Sequence, residues 1–437
     1  MTNTPQSQCG FSMTPLRIVR REEARVGHQP KVAYSVWLPE VRCMLILPNR
    51  GELLVGMLTG RPSTSELTRL CGADTARLLV AAKCLSATGK GKLMPNPRNF
   101  WIQREDGCAN RLLRPHQILI EMTRRCNLAC TYCALGDQPS ESGPDLPPRL
   151  FDRLCAELIE EPVFELLVSG GEPLLWEAKY GGLFERLELL RKAGIRITLF
   201  SNGSLLARYL TEVARAVDRL QISLDAPCAE LFARMANAPE LLFHQTAKAI
   251  RSLAASGQRI QVNAVVTHDN LPYIHELVDW GLESRVAVLT LNRVCPLGRA
   301  ASNLRLSVTD AQWNAIRVAA TGSYSVLCDR AVPRSLDVFP FGSCKAGRSY
   351  MVVNSDGSVS PCIAFKHVKA GDLWSSSLHE VWRGGEWERF RTDAFVCPLP
   401  GRDQITIRYN SKAPASEDGI AAYRPARNKN QPTRKER

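Results

Sequence analysis

ILIEMTRRCNLACTYC, residues 118–133, joins an apolar strand to a loop with three cysteines, and the fold turns on this stretch. Ile118 to Thr123 reads as a buried strand. Cys126, Cys130 and Cys133 follow it directly, separated by three and two residues. Three thiolates on one short loop can hold three irons of a [4Fe–4S] cube and leave the fourth iron for a small-molecule ligand. The competing readings are a zinc knuckle or three buried thiols. A zinc site wants a nearby fourth Cys or His, and none follows Cys133 before Cys155.

Outward from this stretch the chain alternates strands with amphipathic helices. The further strand candidates are FELLVSG (164–170), RITLFS (196–201), RLQISLD (219–225), IQVNAVVT (260–267) and VAVLTLNR (286–293). Between them lie RLFDRLCAELIEE, YGGLFERLELLRKAG and LFHQTAKAIRSLAASG, which carry helical spacing. Such alternation implies parallel strands with crossover helices, and six units predict an α/β fold, a partial (β/α)6 TIM barrel over 112–310. In barrels of this kind chemistry gathers at the carboxyl ends of the strands. Here those ends are small or polar: Gly170-Gly171-Glu172-Pro173, Ser201-Asn202-Gly203, Ser223-Leu224-Asp225, Thr267 and Asn292-Arg293. Two glycines allow close backbone approach to a ligand.

The composition agrees with a globular protein of two or three units: 437 residues, 45% hydrophobic and 23% charged. No apolar run approaches a membrane span, and the first residues lack the apolar core of a secretory signal, so a cytoplasmic location and no membrane partner are expected. Fifteen cysteines, an odd number, suit free thiols or metal ligands better than disulfides, and seven histidines argue against a His-rich metal site. The net charge of +13 is carried partly by six basic residues between Arg424 and Arg437. That stretch reads as a disordered basic tail spanning 401–437. No stripe of basic and aromatic residues repeats elsewhere, which speaks against a nucleic-acid partner.

With CxxxCxxC followed by GGEP, SNG and SLD, and with Tyr132 before the last cysteine, the chain resembles the radical S-adenosylmethionine superfamily. The resemblance implies a [4Fe–4S] cluster on Cys126, Cys130 and Cys133. The cluster would reduce bound S-adenosylmethionine to a 5′-deoxyadenosyl radical that abstracts a substrate hydrogen. By motif position it implies that Gly170, Gly171, Glu172 and Pro173 hold the methionyl amino group. Ser201, Asn202, Ser223 and Asp225 would line the ribose and carboxylate side, and Arg234 would contact the carboxylate. It also implies a flavodoxin- or ferredoxin-type electron donor.

A C-terminal unit over 326–400 holds Cys344, Cys362 and Cys397. NSDGSVSP between the first two reads as a hairpin turn. With GDL at 371–373 and Trp382, this unit resembles the SPASM or Twitch extension, which carries auxiliary iron–sulfur clusters. A full SPASM unit uses seven cysteines, so this shortened set implies one auxiliary cluster on Cys344, Cys362 and Cys397, with Cys328 a candidate fourth ligand. The other cysteines lack such spacing and read as small apolar side chains.

The first unit, 31–95, begins with VAYSVWL and CMLILP as strands and continues with helical spacing, describing a winged-helix-like module. It resembles the peptide-recognition element of maturases of ribosomally made peptides. That implies a precursor peptide as partner and a crosslink, epimerisation or oxidation as outcome. Alternatives are cofactor or small-molecule biosynthesis, sulfatase-type residue maturation, and, in another class, a zinc-stabilised nucleic-acid-binding protein.

Overall fold

In the computed structural model the described residues are 114–136, 143–258, 260–323, 325–328, 346–391 and 404–409, together with short strands ahead of them. Those strands are β1 (Arg17–Glu23), β2 (Lys31–Leu38), β3 (Cys43–Pro48), β4 (Leu85–Ala87) and β5 (Leu93–Pro95). β1, β2 and β3 form an antiparallel sheet in that order, and β4 pairs with β5. β2 and β3 are the two expected strands, and β1 begins ahead of the expected unit. The helices expected over 51–84 lie outside the described residues.

All six expected core strands are present: β6 (Gln117–Glu121), β7 (Glu165–Ser169), β8 (Arg196–Ser201), β9 (Arg219–Ser223), β10 (Ile260–Val266) and β11 (Val288–Arg293). They lie side by side in chain order, every pair parallel. Crossovers between successive parallel strands share one hand, so a sheet without a reversal of order collects all its helices on one face. Burial bears this out. Ile118, Ile120, Leu166, Val168, Ile197, Leu199, Leu220, Ile222, Val262 and Leu291 share one core with Phe151, Leu154, Leu187, Ile250 and Leu277 of the crossover helices. The alternate residues of each strand face the concave side. The result is the expected α/β core, a partial barrel in one mostly parallel open sheet.

An open barrel has two unpaired edges, a liability in any sheet. Both are covered here by strands from the C-terminal third: β12 (Ser325–Cys328), β13 (Tyr350–Val353), β14 (Ser358–Ser360), β15 (Gly371–Asp372) and β16 (Gln404–Arg408). β13 pairs in parallel with β6, and β14 and β15 continue from it. The turn between β13 and β14 is the expected hairpin, with Gly357 at φ +86°. At the other edge β16 runs antiparallel to β11 and carries β12 outside it. Residues 404–408 stand in the stretch read as tail. Their alternation buries Ile405 and Ile407 completely, a period-two signal hidden beside the basic run that follows.

Candidate functional site

The cysteine loop leaves β6 at the carboxyl rim and is held from three sides. On the first, the backbone of Gly171 and Glu172 donates to the carbonyls of Thr123 (2.7 Å) and Arg125 (2.8 Å). A Cβ on Gly170 (φ +135°) would fall 2.3 Å from the Thr123 carbonyl oxygen, and one on Gly171 2.1 Å from that of Arg125. The double glycine is therefore demanded by the chain's own loop, whatever ligand it also meets. On the second side, the amides of Ala129 and Thr131 donate to the last carbonyls of the helix Ala229–Ala236 at 3.1 and 2.9 Å, satisfying groups that a helix end leaves open. On the third, Arg299 donates its backbone amide to the Cys133 carbonyl (3.0 Å) and its Nε to the Cys130 carbonyl (2.7 Å). Gly298 precedes it at φ +53°, where a Cβ would meet the Cys133 carbonyl at 2.4 Å.

Glu172 is fully buried, and its carboxylate is spent inside the protein. It accepts from the amides of Leu174 (3.1 Å) and Asn202 (2.7 Å) and from the Ser201 hydroxyl (3.0 and 3.1 Å). Burial pushes its carboxyl up to about 7 against these favourable hydrogen bonds. Asn202 donates to Asn127 Oδ1 (2.9 Å) and reaches Cys126 Sγ (3.7 Å), while Ser204 donates to Asn202 Oδ1. Asp225 is likewise buried: Tyr132 donates its hydroxyl to it, and the Val265 amide donates at 2.6 Å. Burial raises Asp225 to about 6 and holds the Tyr132 hydroxyl neutral. Asn270, also buried, donates to the Asp225 carbonyl (2.8 Å) and receives the Thr267 amide (2.8 Å). Of the residues assigned to the ligand by sequence, Ser223 faces open space and Arg234 is exposed on the helix that cradles the loop. Glu172, Ser201 and Asp225 tie neighbouring strand ends together.

The helix Pro173–Tyr180 is reached through Asp145, which gathers Thr123 (2.6 Å), Arg125 (2.8 Å), Lys179 (2.8 Å) and Tyr180 (3.1 Å). Burial pushes this carboxyl up, but the hydrogen bonds from Arg125, Lys179 and Thr123 outweigh it and hold it at about 2, below its ordinary 3.8. A depressed carboxyl stabilises the fold above the unfolded value and ceases to as pH falls through the folded one. Asp145→Asn is therefore expected to melt below the parent at pH 6. The gap should close between about pH 4 and pH 2, checked by urea titration of both proteins across that window.

The C-terminal segment also reaches the rim. Lys366 and Ser355 both hydrogen-bond to buried Glu121 at the end of β6, bringing the Cys362 loop beside the barrel mouth. Cys344 and Cys397 lie outside the described residues, and Cys328 sits in β12. Asn127, Ser204, Asp145, Asn270 and Arg299 are parts of the site that sequence reading missed. Asn127 was signalled by its place inside the cysteine motif; Arg299 lies 166 residues beyond Cys133 with no local pattern to mark it.

Among the described residues no three Cys, His, Asp or Glu side chains are gathered as ligands of one metal ion. The fit of an iron–sulfur cluster is therefore judged on the donor set. Cys126, Cys130 and Cys133 are free and partly accessible, and Cys133 lies close enough to the other two to oppose their ionisation. Burial pushes Cys126 up to about 11 and Cys130 further. Thiols so placed become thiolates only against a strongly cationic partner, with release of protons. Backbone and Asn202 N–H groups already point at Cys126 sulfur, the kind of hydrogen bond that tunes such clusters. The residues fit the group.

A three-cysteine loop at the carboxyl rim of a partial barrel defines a class, the enzymes that pair a site-differentiated iron–sulfur cluster with a bound sulfonium cofactor. A model of the radical SAM superfamily matches residues 120–281, and one of an iron–sulfur cluster-binding domain, SPASM, matches 344–402. The chain belongs to the radical S-adenosylmethionine superfamily over its barrel core and carries a SPASM domain after it. Its cofactors are accordingly a [4Fe–4S] cluster, S-adenosylmethionine and auxiliary iron–sulfur chemistry. Among curated relatives, the AdoMet-dependent heme synthase of Oleidesulfovibrio alaskensis is 27% identical over 62% of this chain and 76% of that protein. The GTP 3′,8-cyclase of Paracoccus denitrificans is 32% identical over 44% of this chain and 56% of that protein. Among solved structures, Streptococcus suis SuiB bound to S-adenosylmethionine matches with a TM-score of 0.53 at 18% identity over 78% of each chain. SuiB bound to its precursor peptide SuiA matches at 0.50 and 18% identity over 65% of this chain and 68% of that one. Among the described residues no helix is long and apolar enough to cross a membrane.

Proposed function

We propose that this radical enzyme modifies a peptide, installing a crosslink, an epimerised residue or an oxidised side chain. The observation that carries the reading is the antiparallel sheet β1–β2–β3 set ahead of the barrel. An extended peptide can add to an outer strand of such a sheet through main-chain hydrogen bonds. A net charge of +13 favours an acidic leader. The likeness in fold to SuiB, solved with its precursor peptide, supports the same reading.

When bound, the cluster and S-adenosylmethionine supply a 5′-deoxyadenosyl radical, given an electron from a flavodoxin- or ferredoxin-type donor. The chain's part is placement. Cys126, Cys130 and Cys133 would ligate the cluster. The 170–173 turn and Ser223 would meet the cofactor, Arg234 would contact its carboxylate, and Glu172 and Asp225 tie these strand ends together. Cys344, Cys362 and Cys397 would carry one auxiliary cluster.

A second reading is favoured by the sequence relatives that are haem synthases: a tetrapyrrole substrate, with the first sheet purely structural. The test is anaerobic reconstitution of the full chain with iron and sulfide, then turnover with S-adenosylmethionine and dithionite. It is run with synthetic peptides encoded beside the gene and, separately, with an iron porphyrin that carries more carboxylates than haem. A peptide that loses hydrogen, or takes up deuterium from heavy water, is the expected result. Peptides recovered unchanged while the porphyrin is consumed would overturn the proposal.

A further inference from the structure

The concave face of the barrel is not apolar like its helix-covered side. Strand register places Gln221 beside Gln261, Asn263 beside Thr290 and Asn292 beside Gln404. All six sit on the face opposite the fully buried residues Ile222, Val262, Leu291 and Ile405. Except for Thr290 they are half-buried and reach solvent. Gln261 Nε2 donates to Thr290 Oγ1 (3.1 Å), and Asn292 Nδ2 donates to Asn263 Oδ1 (2.8 Å). Gln261 Oε1, Asn292 Oδ1, Asn263 Nδ2 and the whole Gln221 amide make no hydrogen bond to a described residue.

Among the described residues, the charges of Glu165, Glu121 and Arg293 on this face and at its mouth are already paired. Glu165 is bound by Arg196 at 2.9 Å and drawn to Arg219, and both lie at the amino end of the strands. Glu121 is bound by Lys366, and Arg293 turns to the Val308 carbonyl and Asp310. A carboxylate-rich ligand calls for unspent Arg or Lys groups, preferably paired on one oxygen fork. A polypeptide backbone calls for neutral donors and acceptors in alternation, which carboxamides provide from one side chain.

We propose that this band of carboxamides on β9, β10 and β11 is a substrate subsite for the main-chain amides of a peptide, and that it selects against polycarboxylates. The proposal deepens the peptide reading and rests on it only for the identity of the natural occupant.

The test uses the reconstituted full chain with S-adenosylmethionine bound and two probes observed by saturation-transfer NMR. One is triglycine blocked as its N-acetyl, N-methylamide derivative, and the other is succinate. The triglycine is expected to bind and succinate not to displace it. Gln221→Met breaks no hydrogen bond to a described residue and so serves if Asn263→Leu fails to fold. Each substitution is expected to weaken the triglycine about five-fold, the effect of one hydrogen bond to a neutral partner. Succinate binding as tightly as triglycine, or variants within two-fold of the parent, would overturn the subsite. Intact probe binding in a chain that alters no peptide sinks the peptide reading and leaves the subsite standing. Peptide turnover unchanged in both variants sinks the subsite alone.

Discussion

Cys126→Ala yields a protein that makes no 5′-deoxyadenosine under dithionite, the largest single effect expected here. Cys126 lies first on the loop, and its sulfur receives the Leu128 amide (3.4 Å) and Asn202 Nδ2 (3.7 Å). Removing it leaves two thiolates for three irons, and the cofactor loses the corner at which it would chelate. Iron counting after reconstitution, beside chromatographic assay of 5′-deoxyadenosine, separates the outcomes. The control is Cys362→Ala, in the SPASM domain, expected to lower iron while cofactor cleavage continues. Turnover retained by Cys126→Ala would remove the cluster from this loop.

Glu172→Ala is expected to unfold the rim and abolish S-adenosylmethionine binding. The reason is that Glu172 takes no part in solvent chemistry: it satisfies the amides of Leu174 and Asn202 and the Ser201 hydroxyl where no water reaches. Each buried donor left alone costs roughly 1–3 kcal/mol. Glu172→Gln is the sharper variant. Its two-headed amide can accept at one atom only, so either Leu174 or Asn202 faces an N–H instead of an oxygen. Because burial raises the Glu172 carboxyl from 4.5 to about 7, the parent's advantage over the glutamine variant is fully present below 4.5 and is lost as pH rises through about 7. Thermal melts of both proteins between pH 4 and pH 8 check the slope, and parallel curves would show that Glu172 does not titrate there.

The barrel was readable because its strands are short apolar runs, each buried on the helix side and bounded by helical periodicity. RITLFS, for example, became β8 without a residue's change of boundary. The cysteine loop was readable because its three thiols lie close together in the chain. The hydrogen bonds at the strand ends were not. GGEP, SNG and SLD read as ligand contacts, and the fold adds bonds from Ser201 to Glu172 and from Tyr132 to Asp225 that no motif announces. Sequence position cannot report which way a side chain turns once the strand has ended and its alternation stops.

By itself, then, the order of residues determined the succession of strands and helices and the three thiols that open it, because both are local: periodicity and ligand spacing are properties of a few neighbouring positions. Only the folded chain decided that Arg299 would clamp the Cys130 carbonyl, that Lys366 would reach Glu121, and that β16 would seal the far edge of the barrel. Those contacts join residues more than a hundred positions apart. They depend on how curved sheet, loop and C-terminal hairpin meet in space, and no short-range pattern encodes that meeting.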